Sequence, residues 1–206
     1  MTKHFGGVVA VNGLSLAVSP GEIRLGGQRI DRLRPHEIAG RGVGRTFQVP
    51  KLFGNMTVLE NILVPAMAAL DRGDRRPMAE ILDRAGRLLH FVTLAELRHA
   101  LAKELSGGQA MLAQIARALM IRPLRLLLMD EPFAGVHATI RKVIIDAVLH
   151  MNREEGVTIL IVSHEMAELR RLCSRVSVMH EGRLIAEGSL DEVANDGAVL
   201  AAYLGR

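Results

Sequence analysis

Tryptophan is absent from this 206-residue chain, and one tyrosine and five phenylalanines are its whole aromatic content. So little stacking surface argues against single-strand nucleic-acid binding, in which successive bases stack on aromatic rings. A lone cysteine, Cys173, allows no internal disulfide and fits a reducing cytoplasm. No apolar run approaches the ~18 residues of a membrane-spanning helix, and the start at Met1 lacks the charged and apolar regions of a secretory signal. Lysine is scarce as well. Lys3, Lys51, Lys103 and Lys142 are all there is, and none follows a glycine. That excludes G-x-x-x-x-G-K-[ST], the loop whose backbone N–H groups and lysine cradle nucleotide phosphates.

What is present is a globular composition. Hydrophobic residues make up 49% of the chain and the mean hydropathy is +0.21, enough to drive one compact unit. A chain of this length buries roughly 70% of its unfolded surface. The net charge is +4, with arginines crowded at 72–76, 84–98 and 170–175. A solvated face near a membrane, or a basic surface for a partner, accounts for them as well as nucleic acid would. No nucleic-acid partner is expected.

The chain is organised around residues 104–131. Leu105-Ser106-Gly107-Gly108-Gln109 opens a helix that must end before Pro123. Ser106 and Gln109 form a capping box, which by itself starts a helix and nothing more. Two glycines in the first turn, however, cost up to about 1 kcal/mol each relative to alanine. They let a ligand approach the bare N–H groups of a helix start, a ready anion site. Next, the apolar run Leu126–Met129 reads as a buried strand and ends in Asp130-Glu131. In open α/β sheets, ligands bind at the carboxyl ends of the strands. An acid there can hold Mg²⁺ while a second orients or deprotonates an attacking water. A core strand followed by a helix-capping acid would look the same in isolation.

Together, the signature L-S-G-G-Q and the acidic strand at this spacing resemble the ATP-binding cassette (ABC) family. The resemblance extends over nearly the whole chain. Arg45-Thr46-Phe47-Gln48, followed by Leu52–Asn61, is similar to the family's Q-loop and the helix behind it. Pro132–His137 is similar to its D-loop, although the family commonly has Asn or Asp at His137 and Pro at Ala138. Ser163-His164 ends a β-rich run and resembles the switch histidine. Phe5-Gly6-Gly7 resembles the segment that supplies a ring beneath adenine. Arg45–Asn61 and the tail Ala201–Gly205 resemble subunits that serve branched-chain amino acid importers.

The resemblance implies roles for particular residues. Asp130 would bind Mg²⁺ and Glu131 would be the general base. Gln48 would sense Mg²⁺ and water, and His164 would contact the γ-phosphate. Phe5 would stack on adenine, and Ser106, Gly107, Gly108 and Gln109 would close over ATP held by a partner. The expected cofactors are ATP and Mg²⁺. The expected partners are a second ABC ATP-binding subunit, the same or different, paired head to tail, and transmembrane permease subunits. The latter would hold the chain on the cytoplasmic face of the membrane.

One segment does not fit. After Pro20-Gly21-Glu22-Ile23 the family continues with a buried strand, the phosphate loop and a helix, roughly 25–30 residues in all. Here Glu22-Ile23 runs directly into Arg24–Asp31, which resembles the strand and turn beyond that helix. The expected fold is therefore α/β: a P-loop-NTPase-like ABC nucleotide-binding domain over residues 1–206 that lacks the P-loop strand and helix. It would have a mixed core sheet, an N-terminal antiparallel β lobe and a helical lobe at about 57–120. Val8–Val11 and Leu14–Val18 would pair as a hairpin about Asn12-Gly13, and loss of a core strand should expose apolar surface. Three readings stand at this point: a deletion product of a transport ATPase, a non-catalytic partner that offers its signature face to an intact subunit, or a member of another ABC class such as the chromosome-repair ATPases. The last lacks the long heptad insert it would need.

Overall fold

The computed structural model describes residues 7–12, 18–19 and 22–204. Four short strands come first: β1 (Gly7–Asn12), β2 (Val18–Ser19), β3 (Glu22–Leu25) and β4 (Gln28–Arg29). β3 and β4 turn about Gly26 and Gly27, whose φ values of +54° and +77° suit residues without a Cβ. Helix α1 (Pro35–Gly40) and strand β5 (Val43–Arg45) lead to the long helices. Helix α2 (Val58–Leu70) starts at Thr57, whose Oγ accepts from the Glu60 N–H while the Glu60 carboxylate accepts from the Thr57 N–H. Helix α3 (Met78–Phe91) follows a polar break, and α4 (Gly107–Leu119) starts at Ser106.

The remaining elements alternate. Strand β6 (Leu126–Asp130) is followed by α5 (Ala138–Arg153), β7 (Thr158–Ser163), α6 (Met166–Leu172), β8 (Val176–His180) and β9 (Arg183–Gly188). The short helices α7 (Leu190–Ala194) and α8 (Gly197–Leu204) close the chain. The capping box at Ser106 predicted α4, and the apolar runs that end at Asp130 and at Ser163-His164 predicted β6 and β7. Helices α1, α6 and α8 and strand β5 were not anticipated, being short and weakly patterned.

β2, β3 and β4 make a small antiparallel sheet, and the other six strands form the core sheet in the order β5-β6-β7-β1-β8-β9. β5, β6 and β7 run parallel, the arrangement that strand–helix–strand crossovers produce. β8 runs the same way as β7 but one position away. The strand between them is β1, antiparallel to both, with Val8 opposite Ser163 and Val178. This corrects the expected hairpin. β1 does not pair with β2; it sits in the core sheet, and β2 pairs with β3 instead. The physical reason is hydrogen bonding. Without a strand between them, β7 and β8 would each present a row of unpaired N–H and C=O groups in the middle of a buried sheet. The β-rich Val8-Val9-Ala10-Val11 satisfies both rows, so the sheet is continuous through the position where a gap was expected.

Above the sheet, α5 packs on α4, α6 and β7, while α2 and α3 pack on α4. Ile62, Ile81, Leu89, Leu112, Ile115, Leu127, Met129 and Ile144 are all at most 2% exposed and belong to one contiguous cluster. The helical lobe therefore shares its core with the sheet through α4. Burial of this kind contributes about 25 cal/mol per Å² of apolar surface.

A test of the reversed strand follows. Proline at Val9 removes one ladder hydrogen bond and leaves the facing carbonyl unpaired. Val9→Pro should lower the unfolding free energy by roughly 1–3 kcal/mol, read as an earlier urea midpoint. An unchanged midpoint would mean that β1 does not hold this place.

Candidate active site

The parallel pairing of β6 with β7 sets Asp130 level with Val162, so the acidic pair and Ser163-His164 emerge at the same carboxyl edge. Glu131 leaves the strand with φ +45°, a left-handed conformation uncommon outside glycine. Such strain costs on the order of 1–3 kcal/mol and clusters at functional positions. The Glu131 N–H is held by the Val162 carbonyl at 2.8 Å. Its side chain is 14% exposed, and Oε2 meets His164 Nδ1 at 2.9 Å. With a proton on the ring the two groups form an ion pair, although Glu131 Oε2 is buried and the approach does not meet hydrogen-bond geometry. The Glu131 carboxylate beside it raises the His164 pKa. The histidine is otherwise open, at 57% side-chain exposure.

Asp130, at the tip of β6, has Arg45 Nη2 3.9 Å from its Oδ2. Arg45 also lies over the Phe47 ring at 4.6 Å. Beyond β5 the Thr46 N–H donates to the Leu128 carbonyl, which carries the chain along β6 toward this edge. Gln48 follows and is exposed; among the described residues it makes no hydrogen bond to Asp130, Glu131 or His164. The loop that carries it is nonetheless held. Buried Gln114 on α4 donates to the Phe47 carbonyl and accepts from the Lys51 N–H. Arg117 on the same helix donates to the Lys51 carbonyl at 2.6 Å. Asn61 on α2, fully buried, bonds both backbone groups of Phe53. These three residues were missed in the sequence, where a polar residue in a helix carries no sign of which loop it will meet.

Ser106 caps α4 as its pattern predicted: its Oγ accepts from the Gln109 N–H at 3.3 Å, and Gln109 Oε1 accepts from the Ser106 N–H at 2.9 Å. A Cβ at Gly107 would meet nothing within 4 Å, whereas one at Gly108 would press on Ile140 of α5 at 3.3 Å. The first turn therefore presents an open backbone on one side and packs on the other. Among the described residues, nothing links Ser106–Gln109 to Glu131 or His164. Phe5 lies outside the described residues. His137 caps α5, its Nδ1 accepting from the Thr139 N–H at 3.4 Å. Cys173 has its thiol pushed up to about 12 by burial, which makes it inert at neutral pH.

The fit to MgATP is divided. Asp130 is a hard oxygen donor, 42% exposed, suited to Mg²⁺. No group of three His, Cys, Asp or Glu side chains among the described residues could hold a metal alone, so an ion here would need phosphate oxygens too. The phosphate side does not fit. The strand beside β7 that should lead into a phosphate loop is β1, which brings its amino end, Gly7 and Val8, to the carboxyl edge.

Comparisons with known proteins show the family. Residues 10–134 match the family model for ABC transporters, and residues 183–206 match that for branched-chain amino acid ATP-binding cassette transporters. The probable branched-chain amino acid transport ATP-binding protein LivG of Archaeoglobus fulgidus is 35% identical over 195 residues, covering 90% of this chain and 74% of the relative. The high-affinity branched-chain amino acid transport ATP-binding protein BraF of Pseudomonas aeruginosa is 31% identical, covering 100% and 95%. That alignment spans 244 positions against the 206 residues here, so about 38 of its positions have no residue from this chain. Among solved structures, the ADP conformation of MJ1267, an ATP-binding cassette of an ABC transporter, superposes with a TM-score of 0.73 at 32% identity, covering 90% of this chain and 77% of that one.

The Glu131–His164 contact has a pH signature. His164 has its pKa raised above the ordinary 6.5 in the folded state. The stability this contributes is fully present below the unfolded value and is lost as pH rises through the folded one. The urea midpoint of the unmodified chain should therefore exceed that of Glu131→Gln most at acid pH, with the difference shrinking above pH 6.5. A pH-independent difference would rule the contact out.

Proposed function

The chain belongs to the ATP-binding cassette transporter family, and from that premise we propose that it serves an importer of branched-chain or related amino acids as its ATP-binding subunit. Relatives of that description align along the whole chain, which supports this substrate class. The observation that carries the mechanism is the 2.9 Å contact between Glu131 and His164 at the end of β6. Bound MgATP supplies the γ-phosphoryl group that water attacks. In this reading Asp130 would hold Mg²⁺, and Glu131 would take a proton from the attacking water. His164, anchored through Nδ1, would offer Nε2–H as a donor in its doubly protonated form, the form that the Glu131 carboxylate favours. Gln48 links the site to the permease that holds the subunit on the cytoplasmic face of the membrane. Ser106–Gln109 would close over a nucleotide held by a second ATP-binding subunit, where bare N–H groups and the helix dipole favour phosphate.

A second reading has its own support. Two copies of this chain would have no phosphate loop between them, because β1 runs the wrong way and no lysine follows a glycine. This favours a non-catalytic partner that works through its signature face, or an inactive deletion product, over a self-sufficient ATPase.

Calorimetric titration with MgATP separates these readings. The chain alone should show no binding up to the millimolar range in which working enzymes bind their substrates. Clear binding that Asp130→Asn abolishes would mean that another segment cradles the phosphates. Mixing with an intact homologous subunit should restore ATPase activity if the signature face is functional, and Ser106→Arg should remove that rescue. Absence of any rescue would leave the deletion-product reading.

A further inference from the structure

We propose that Arg141 is a positioning residue for His164, holding the segment that carries the histidine against the loop that follows the acidic pair. This rests on the assignment of Glu131 and His164 above and adds a residue that the motif reading did not single out.

The side chain of His164 is mostly exposed and Glu131 is its ion-pair partner, so its direction depends on the backbone of residues 163–165. Ser163 is fully buried in β7, and its Oγ accepts from the Glu165 N–H at 3.1 Å. Glu165 is then gripped from the side by Arg141, whose Nη1 and Nη2 reach its two carboxylate oxygens at 3.2 and 3.0 Å. Nη1 also reaches Glu168, one turn into α6, at 3.0 Å. The third guanidinium nitrogen, Nε, turns the other way and donates to the Val136 carbonyl at 2.9 Å. All three nitrogens are thus engaged, two on the switch segment and one on the loop.

That loop is itself fixed. Phe133 is wholly buried and Val136 nearly so. Arg141 therefore connects a rigid anchor to the residue next to His164. The contacts are partly shielded, with Arg141 and Glu165 each 26% exposed and Glu168 13%. A forked guanidinium suits such a planar, two-oxygen grip, and lysine does not reproduce it. The same contacts could simply fasten α6 to α5. The two roles differ in what happens to the imidazole.

The experiment is nitrogen NMR of histidine side chains in the full chain, with His164 assigned by His164→Gln. The neutral ring of His164 should show one tautomer, protonated at Nδ1 toward Glu131. Arg141→Gln and Arg141→Lys should both replace it with an averaged pair of tautomers. His90 and His150, in α3 and α5, should keep their signals and so report an intact fold. An unchanged His164 in Arg141→Gln, where Glu131→Gln does change it, overturns the positioning role. An unchanged His164 in Glu131→Gln overturns instead the underlying assignment. If Arg141→Gln fails to fold, Glu168→Gln loosens the grip while keeping Arg141 and Glu165. It should give a smaller change of the same kind, and no change there counts against the proposal.

Discussion

Everything at the candidate site depends on the in-register parallel pairing of β6 with β7. The two strands are separated in sequence by α5, yet Leu126 lies opposite Thr158 and Asp130 opposite Val162. A slip of one residue would turn Ser163 out of the core and move His164 away from Glu131. The alternation along β7, with Ile159, Ile161 and Ser163 buried, holds that register. So does the hydrogen bond from the Glu131 N–H to Val162, which also fixes the left-handed backbone at Glu131.

The next constraint is the sheet position between β7 and β8. Two parallel strands one place apart require a third between them, and the chain fills the position with β1 in reverse. Hydrogen bonding and apolar content are satisfied by either direction. Chemistry at the edge is not. A parallel strand would deliver its carboxyl end, with a loop and helix start, beside Asp130 and His164. The reversed strand leads away from that edge at Asn12. Direction, rather than composition, separates a sheet that merely folds from one that can cradle phosphate.

Helix α4 links the two remaining parts. Its first turn carries Ser106–Gln109, and farther along buried Gln114 and half-buried Arg117 hold the loop bearing Gln48. The same helix packs on α2, α3 and α5. A shift of the signature turn would therefore be felt in the Gln48 loop through a stiff, well-packed element.

Local pattern was enough to read much of this chain. The capping box at Ser106 depends on residues three apart, and the apolar runs of β6 and β7 on their own neighbours, so these elements were legible in sequence order. So were the acidic pair, the histidine and the lack of any phosphate loop, because each motif is contiguous. Pairing was not legible. Val8–Val11 has the same strand pattern whether it joins β2 or enters the core sheet, and the partner is decided by the unsatisfied rows on β7 and β8. Nor could spacing show that Arg141 reaches Val136, Glu165 and Glu168 together, since their meeting depends on how α5 and α6 pack. Strand content and caps are properties of the chain; partner, direction and contact arise only when distant segments compete for the same hydrogen bonds and the same core.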